Sequence, residues 1–317
     1  MTHIAKELNI CEVPNKRGGK WSHKQVSRIL KGNFIGDYLT IHPSDKTMFH
    51  SLLVCLNDMS FSPLPQYGKT IQTINDLKVA LEWVKSLGPV PQISKGPHSV
   101  GTTLETLLGH DLDSLPLRDF PECELKAQRG ATSSMVTLFT KTPTWNKEGD
   151  WSARKVLQTF GYEDDKGHKK AMRINLYDTE FHGMVLIPTS TGIAVTVAST
   201  GEIIGEWYTE VFKQKFSDKV DNIVYVTADV IVENGVECFH YTSAQHCIVK
   251  PDLNAGDIFS EIAKRNLALE WRMFLCEDHE HCLNEGRKAG MVRDHGPAIR
   301  CSKEKLSQIY QMFPLIE

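Results

Sequence analysis

No stretch of this 317-residue chain approaches the roughly 20 consecutive apolar residues that a bilayer-spanning helix needs. The opening Met1-Thr-His-Ile-Ala-Lys-Glu7 has no apolar run of the kind a secretory leader carries. Eight cysteines, at positions 11, 55, 123, 238, 247, 276, 282 and 301, follow no disulfide-scaffold spacing. These absences argue against a membrane role and lead to the expectation of a reduced, cytoplasmic protein. An excess of one charge is missing too. Lys and Arg number 36 against 39 Asp and Glu, a net charge of -3, so any nucleic-acid role must rest on local patches. Repeats and low-complexity tracts are absent. What remains is an ordinary globular composition, 41% hydrophobic and 24% charged, in a chain long enough for one large domain or a medium and a small one.

The most informative segment is Asp119-Phe-Pro-Glu-Cys-Glu124-Leu-Lys126, of the form D-x4-E-x-K. In an extended strand side chains at i and i+2 share a face, so Glu124 and Lys126 point the same way. Asp119, arriving from the preceding turn, completes a cluster of two carboxylates and one ammonium. Oxygen ligands of this type suit Mg²⁺, which is usually held by one or two carboxylates, waters and a phosphate. Such an ion polarises a phosphodiester and lowers the pKa of a bound water, while Lys126 is placed to orient that water or steady developing charge. The alternative is a solvated hairpin with an i,i+2 ion pair. A second group of ligand-type residues, Cys276-Glu-Asp-His279-Glu-His281-Cys282, lacks the separate partner knuckle of structural zinc sites and reads better as a polar loop.

The first seventy residues differ from the rest of the chain. Met1 to Lys31 carries seven Lys or Arg against Glu7 and Glu12. A short helix around 2–9 and a Gly-rich turn lead to Trp21-Ser-His-Lys-Gln-Val-Ser-Arg-Ile-Leu-Lys31. There Ser22 and Gln25 form a capping box, Trp21 and Val26 a hydrophobic staple, and Val26, Ile29 and Leu30 a buried stripe. Two helices with a basic outer face predict a helix-turn-helix-like segment over 1–70, with Lys16, Arg17, Lys24 and Arg28 contacting phosphates. The alternative is a small packing appendage. Phe61 to Gly68 reads as a linker.

Beyond it, 73–87 has helical periodicity through Leu77, Ala80, Leu81 and Val84. A second helix spans 99–109, with Leu104, Leu107 and Leu108 inward, Gly109 as stop signal and Glu105 on the flank. Strands are expected at 134–141, 184–187, 193–197 and 223–230, a hairpin turn at 199–202, and a helix at 257–265 leading into a strand at 268–275. This mixture predicts an α/β or α+β domain over 71–317, with a central sheet flanked by helices.

The first thirty-five residues or so resemble the recombinase domain of large serine recombinases, through Ile4-Ala5…Leu8-Asn9…Val13-Pro14…Arg17-Gly18-Gly19-Lys20-Trp21…Val26-Ser27-Arg28-Ile29-Leu30…Ile35-Gly36. No serine-recombinase catalytic sequence accompanies it, so strand exchange is not implied. From about residue 77 to 317 the chain resembles the MvaI/BcnI family of restriction endonucleases, relatives of the mismatch-repair nickase MutH. The resemblance is carried by Val100-Gly101…Leu104-Glu105…Leu108, by Asp119…Glu124-Leu125-Lys126, by Leu138-Phe139-Thr140-Lys141-x-Pro143 and by Phe160-Gly-Tyr162. Arg272, Asp294-His295-Gly296-Pro297-Ala298-Ile299-Arg300 and Lys305-Leu306 continue it in the same order.

This resemblance implies a central mixed sheet of the PD-(D/E)xK nuclease fold. It implies Asp119, Glu124 and the Leu125 backbone carbonyl as Mg²⁺ ligands, Lys126 as the catalytic lysine and Glu105 as a supporting acid. It implies Arg272, His295 and Arg300 as base readers, with Lys141 near the scissile phosphate and Thr140 and Arg293 as further DNA-binding positions. Arginine suits the task because it can donate two bonds to guanine O6 and N7. Two features depart from the family pattern. Arg293-Asp294 stands where the family has His-Asp, and Thr140 occupies a variable position in a way that favours a CCWGG-like site over a CCSGG-like one. The expected function is a monomeric, Mg²⁺-dependent type II restriction endonuclease. It would cut double-stranded DNA at a short GC-rich site, leave 5′-phosphate and 3′-hydroxyl ends, and be paired with a cognate DNA methyltransferase. The alternatives are a MutH-like nickase and a non-catalytic sequence-specific DNA-binding protein. Deleting residues 1–70 is expected to weaken DNA binding and flatten its salt dependence; unchanged cleavage and salt slope would refute the assignment of Lys16, Arg17, Lys24 and Arg28.

Overall fold

The computed structural model describes residues 71–110, 118–165, 167–233, 235–251, 253, 258–276 and 288–317. In chain order the elements begin with α1 (Ile74–Ser86), β1 (Val90–Pro91), α2 (Ser99–Leu107), β2 (Glu124–Arg129), β3 (Val136–Thr140), β4 (Thr144–Trp145) and α3 (Ala153–Phe160). Next come β5 (Ala171–Leu176), β6 (Met184–Pro188), β7 (Gly192–Val197), β8 (Ile203–Tyr208), α4 (Thr209–Lys215), β9 (Asn222–Glu233) and β10 (Val236–Val249). The last are α5 (Ile258–Ala263), β11 (Ala268–Leu275), β12 (Val292–Asp294), β13 (Ala298–Cys301), α6 (Leu306–Ile309) and β14 (Tyr310–Ile316). The helix-turn-helix-like segment, the linker and most of the Cys276–Cys282 cluster lie outside the described residues.

Two compact units make up the chain. The first comprises Met1–Thr132, Val224–His246 and Phe313–Glu317, the second Ser133–Ile223 and Cys247–Met312. In the first, a sheet of order β1-β10-β9-β2, with β14 also pairing β10, carries α1 and α2. The core is continuous across them: Leu77, Ala80, Leu81 and Val84 of α1, Val100, Leu104 and Leu107 of α2, and Leu125, Val224, Val226, Phe239 and Tyr241 of the strands. Helix α1 starts where its sequence says it should. Thr73 accepts the Asp76 backbone N–H at 3.2 Å and Asp76 accepts the Thr73 N–H at 2.9 Å, a reciprocal capping box. Gly109, two residues past the end of α2, has φ +70, the left-handed stop that glycine adopts without penalty.

Helix α2 has no side-chain cap of its own. Its first turn is held by Arg129 at the end of β2, whose guanidinium donates to Ser99 Oγ (2.9 Å), Pro97 O (3.1 Å) and Gly96 O (3.2 Å). A cation at a helix N-terminus opposes the helix dipole. Glu237 on β10 offsets it with a two-point pair, 3.0 Å to Nε and 2.7 Å to Nη2. The Tyr241 hydroxyl donates to Val100 O at 2.8 Å, fixing the same turn from the sheet.

The second unit holds two further sheets. In one, β11 is central: β5 pairs along its length on one side, while β13 and β12 share the other, and β3 follows β13. The second has the order β4-β8-β7-β6. The strand pairings in these two sheets are antiparallel. Trp145, Trp207 and Trp271 pack together, with ring centroids 5.8 and 6.3 Å from that of Trp271. Phe139 packs on Phe212 and Phe216. Among the described residues the expected strands and helices are present within a few residues, and the α/β class holds; the strands there are shared among three sheets.

Because Arg129 and Glu237 are both partly buried, removing one leaves the other poorly satisfied. Arg129→Ala is expected to lower unfolding free energy by about 2 kcal/mol, measured by urea unfolding, with Glu237→Gln milder because it keeps an acceptor.

Candidate active site and base-reading face

Strand β2 places Glu124, Lys126 and Gln128 on one face and Leu125, Ala127 and Arg129 on the other, the alternation its spacing predicts. Lys126 Nζ lies 2.5 Å from Glu124 Oε1. This is no solvated pair, since the Glu124 side chain is 3% exposed and that of Lys126 19%. Asp119 reaches the strand by a tight turn in which Phe120 and Cys123 exchange backbone hydrogen bonds at 3.0 and 3.3 Å. Its carboxylate then accepts the Leu125 N–H at 2.9 Å, which ties the D and E-x-K parts of the motif to one peptide. Buried Phe120, edge-on to His110 with centroids 5.4 Å apart, pins the turn from below.

Glu105, on α2, sits in the field of this group. Burial, then the charge of Asp119, raises its pKa above the ordinary glutamate value; His110 and Lys126 act the other way. The Cys123 thiol is pushed up to about 12 by burial and by Asp119, so the one sulfur beside the group is no nucleophile. Among the described residues no three His, Cys, Asp or Glu side chains already converge as they would around a bound metal. The donors nevertheless fit a hard divalent cation. Asp119 and Glu124 supply the one or two carboxylates Mg²⁺ takes from protein, and the charge of Asp119, which adds to burial in raising the Glu105 pKa, is one that a cation relieves.

The expected site residues Thr140, Lys141, Arg272, Arg293, His295 and Arg300 fall in the second unit. Arg272 Nε on β11 lies 2.9 Å from Glu270 Oε2 as an ion pair, and Arg300 on β13 donates from Nη1 to the same oxygen at 2.7 Å. Glu270 is buried, and Arg300 also bonds the Met135 carbonyl. So the acid that Arg300 pairs with is an internal one shared by two arginines. Arg300 is 14% exposed and doubly anchored, whereas Arg272 is 37% exposed, with no acceptor for its Nη groups among the described residues. Arg293 on β12 lies over the Phe274 ring at 6.0 Å, and His295 packs near the same ring at 6.2 Å.

The turn from Asp294 to Pro297 is closed by Gly296, at φ +77, whose N–H donates to Asp294 Oδ1 at 2.8 Å. Burial raises the pKa of Asp294, partly offset by this bond. A Cβ on Gly296 would stand 3.6 Å from Thr140 Cβ, and the Lys141 N–H donates to Pro297 O at 2.9 Å. Thr140 and Lys141 are therefore beside the His295 turn, both exposed. Lys16, Arg17, Lys24 and Arg28 lie outside the described residues. Glu270 and Phe274 were missed by sequence reasoning, though Glu270-x-Arg272-x-Phe274 has the i,i+2 spacing that gives a strand one polar face.

Asp119, Glu124 and Lys126 thus gather on and beside one strand, with Glu105 of α2 in their field. The chain belongs to the MvaI/BcnI restriction endonuclease family, whose model matches residues 78–310, and so to the type II site-specific DNA nucleases. A solved structure of restriction endonuclease MvaI with its cognate DNA substrate is similar at 22% identity and a TM-score of 0.63, covering 77% of this chain and 98% of that one. At that identity the likeness shows the fold. A structure of MvaI in the absence of DNA is similar at 22% identity with a TM-score of 0.43, over 81% of this chain and 100% of that one. No curated protein matches the chain.

Glu105→Gln tests the electrostatics. A carboxyl whose folded pKa is raised contributes stability below its unfolded value of about 4.3 and loses it as pH rises through the folded value. The metal-free wild type should therefore lose stability through that window relative to Glu105→Gln, and the variant should melt higher at pH 7.5 but not at pH 4. Added Mg²⁺ should narrow the difference. Identical pH profiles of the two melts would contradict it.

Proposed function

We propose that the chain is a Mg²⁺-dependent type II restriction endonuclease that hydrolyses a phosphodiester in duplex DNA at a short GC-rich site, leaving a 5′-phosphate and a 3′-hydroxyl. The observation that carries this reading is the joining of Asp119, Glu124 and Lys126 through one peptide and one strand face. Asp119, Glu124 and the Leu125 carbonyl would hold the ion, which when bound polarises the phosphate and acidifies a water. Glu105 supports the carboxylates from α2. Glu124 orients the Lys126 ammonium, which stabilises negative charge building on the scissile phosphate and aligns the attacking water with the phosphorus.

Sequence is read by the second unit. Arg272, its Nε anchored by Glu270, presents its outer edge in a fixed direction suited to a guanine. Arg300 contributes from β13 opposite the bulge in β3, Arg293 and His295 from beside Phe274, and Thr140 and Lys141 contact the strand being read or its phosphate. The protein acts in the cytoplasm as a monomer on DNA, beside a methyltransferase that protects the same site. Basic residues Lys16, Arg17, Lys24 and Arg28 add phosphate contacts.

The test is incubation of the purified chain with plasmid DNA in Mg²⁺ and in EDTA, alongside Lys126→Ala, with sequencing of the ends. Discrete Mg²⁺-dependent double-strand breaks at one motif are expected, reduced at least ~10²-fold in the variant. Nicks alone would favour a strand-nicking enzyme. Retained binding with no cleavage would make the chain a DNA-binding protein, and undiminished cleavage by Lys126→Ala would remove the lysine from the mechanism.

A further inference from the structure

Directly across β11 from Arg272 stands a second arginine, Arg173 of β5. The Arg173 N–H donates to the Tyr162 hydroxyl at 3.0 Å, and that hydroxyl donates back to the Arg173 carbonyl at 3.1 Å. Both backbone groups therefore point away from β11, and Arg173 and Arg272 form a non-hydrogen-bonded pair, the closer of the two antiparallel kinds, with side chains on one face. Like charges so placed repel. The same face carries Glu270, shared by Arg272 and Arg300, and Arg293, which sits opposite Phe274. Four arginines thus stand against one carboxylate, and Arg173 is exposed with no acidic partner among the described residues.

Tyr162 does for β5 what a further strand would do. Its backbone exchanges hydrogen bonds with Ala171 at 2.9 and 2.7 Å, and its hydroxyl takes over at Arg173. The ring is stacked on His182, centroids 5.0 Å apart, which holds the hydroxyl in place. A sheet edge is being fixed so that one exposed cation has a defined origin.

We propose that Arg173 is a DNA-phosphate contact, positioned by Tyr162, that takes the backbone beside the base read by Arg272. The inference rests on the DNA-cleavage reading above. Two arginines this close cannot both dock on one guanine edge. Arg272 is oriented by Glu270, and Arg173 is untethered at its guanidinium, so the free one falls to the phosphate, for which a planar fork of donors is well shaped.

The experiment is anisotropy binding of full-length protein in EDTA to two duplexes, one with the sequence cut in plasmid and one scrambled, over a salt series. Arg173→Gln should weaken both alike, by roughly 10-fold at low salt, and lower the slope of log affinity against log salt by about 0.9. Arg173→Lys should keep the slope, and Tyr162→Phe should lose part of the affinity with an unchanged melting temperature. Loss confined to the cut sequence would make Arg173 a base reader and overturn the proposal, as would unchanged affinity and slope in Arg173→Gln. A wild type that binds neither duplex would overturn the underlying DNA reading itself.

Discussion

Charges of one sign, crowded into places partly closed to water, are the constraint on which the rest of this molecule depends. Around β2, Glu105, Asp119 and Glu124 share a partly closed neighbourhood with one ammonium, and burial, then the charge of Asp119, holds the Glu105 pKa above its ordinary value. Such a group stays put only if the backbone beneath it is over-determined. Phe120 and Cys123 lock the turn, the Leu125 N–H fixes Asp119, and Arg129, Glu237 and Tyr241 secure the first turn of the helix that carries Glu105. Each of these contacts would be excessive for a strand that had only to be a strand.

The second unit carries the same constraint with the sign reversed. Arg173, Arg272, Arg293 and Arg300 stand on one face with Glu270 between them. A single buried carboxylate serving two guanidinium groups gives orientation more than stability, because each ion is held along one direction while most of the positive charge remains. The acid-rich strand suits a cation and the arginine face suits phosphate and guanine. The near-zero net charge hides both, which is why composition alone argues so little about the partner.

What was legible in the sequence was whatever depends on local spacing. Thr73 and Asp76 announce α1, Gly109 ends α2, and Glu124-x-Lys126 shares a face, all from positions a few residues apart. The hook from Asp119 to the Leu125 N–H was hidden, because it depends on the depth of a turn. Glu270 looked like any strand glutamate, since its two arginines come together only through the pairing of β11 with β13. Arg173 was invisible for the same reason, its neighbour lying far along the chain. The division into two units was also out of reach, because their segments interleave and no linker marks the boundary.

The ladder between β13 and β3 contains a one-residue slip: Ile299 faces Phe139, but Arg300 faces Thr137. Leu138 is the extra residue, and it lets both Leu138 and Phe139 turn inward while Thr137 and Thr140 stay on the polar side. The tip that carries Thr140 and Lys141 is thus addressed by counting residues. A chain one residue shorter here would restore a regular ladder and swing that tip to the opposite face. Along this strand, length constrains the tip more strictly than side-chain identity does.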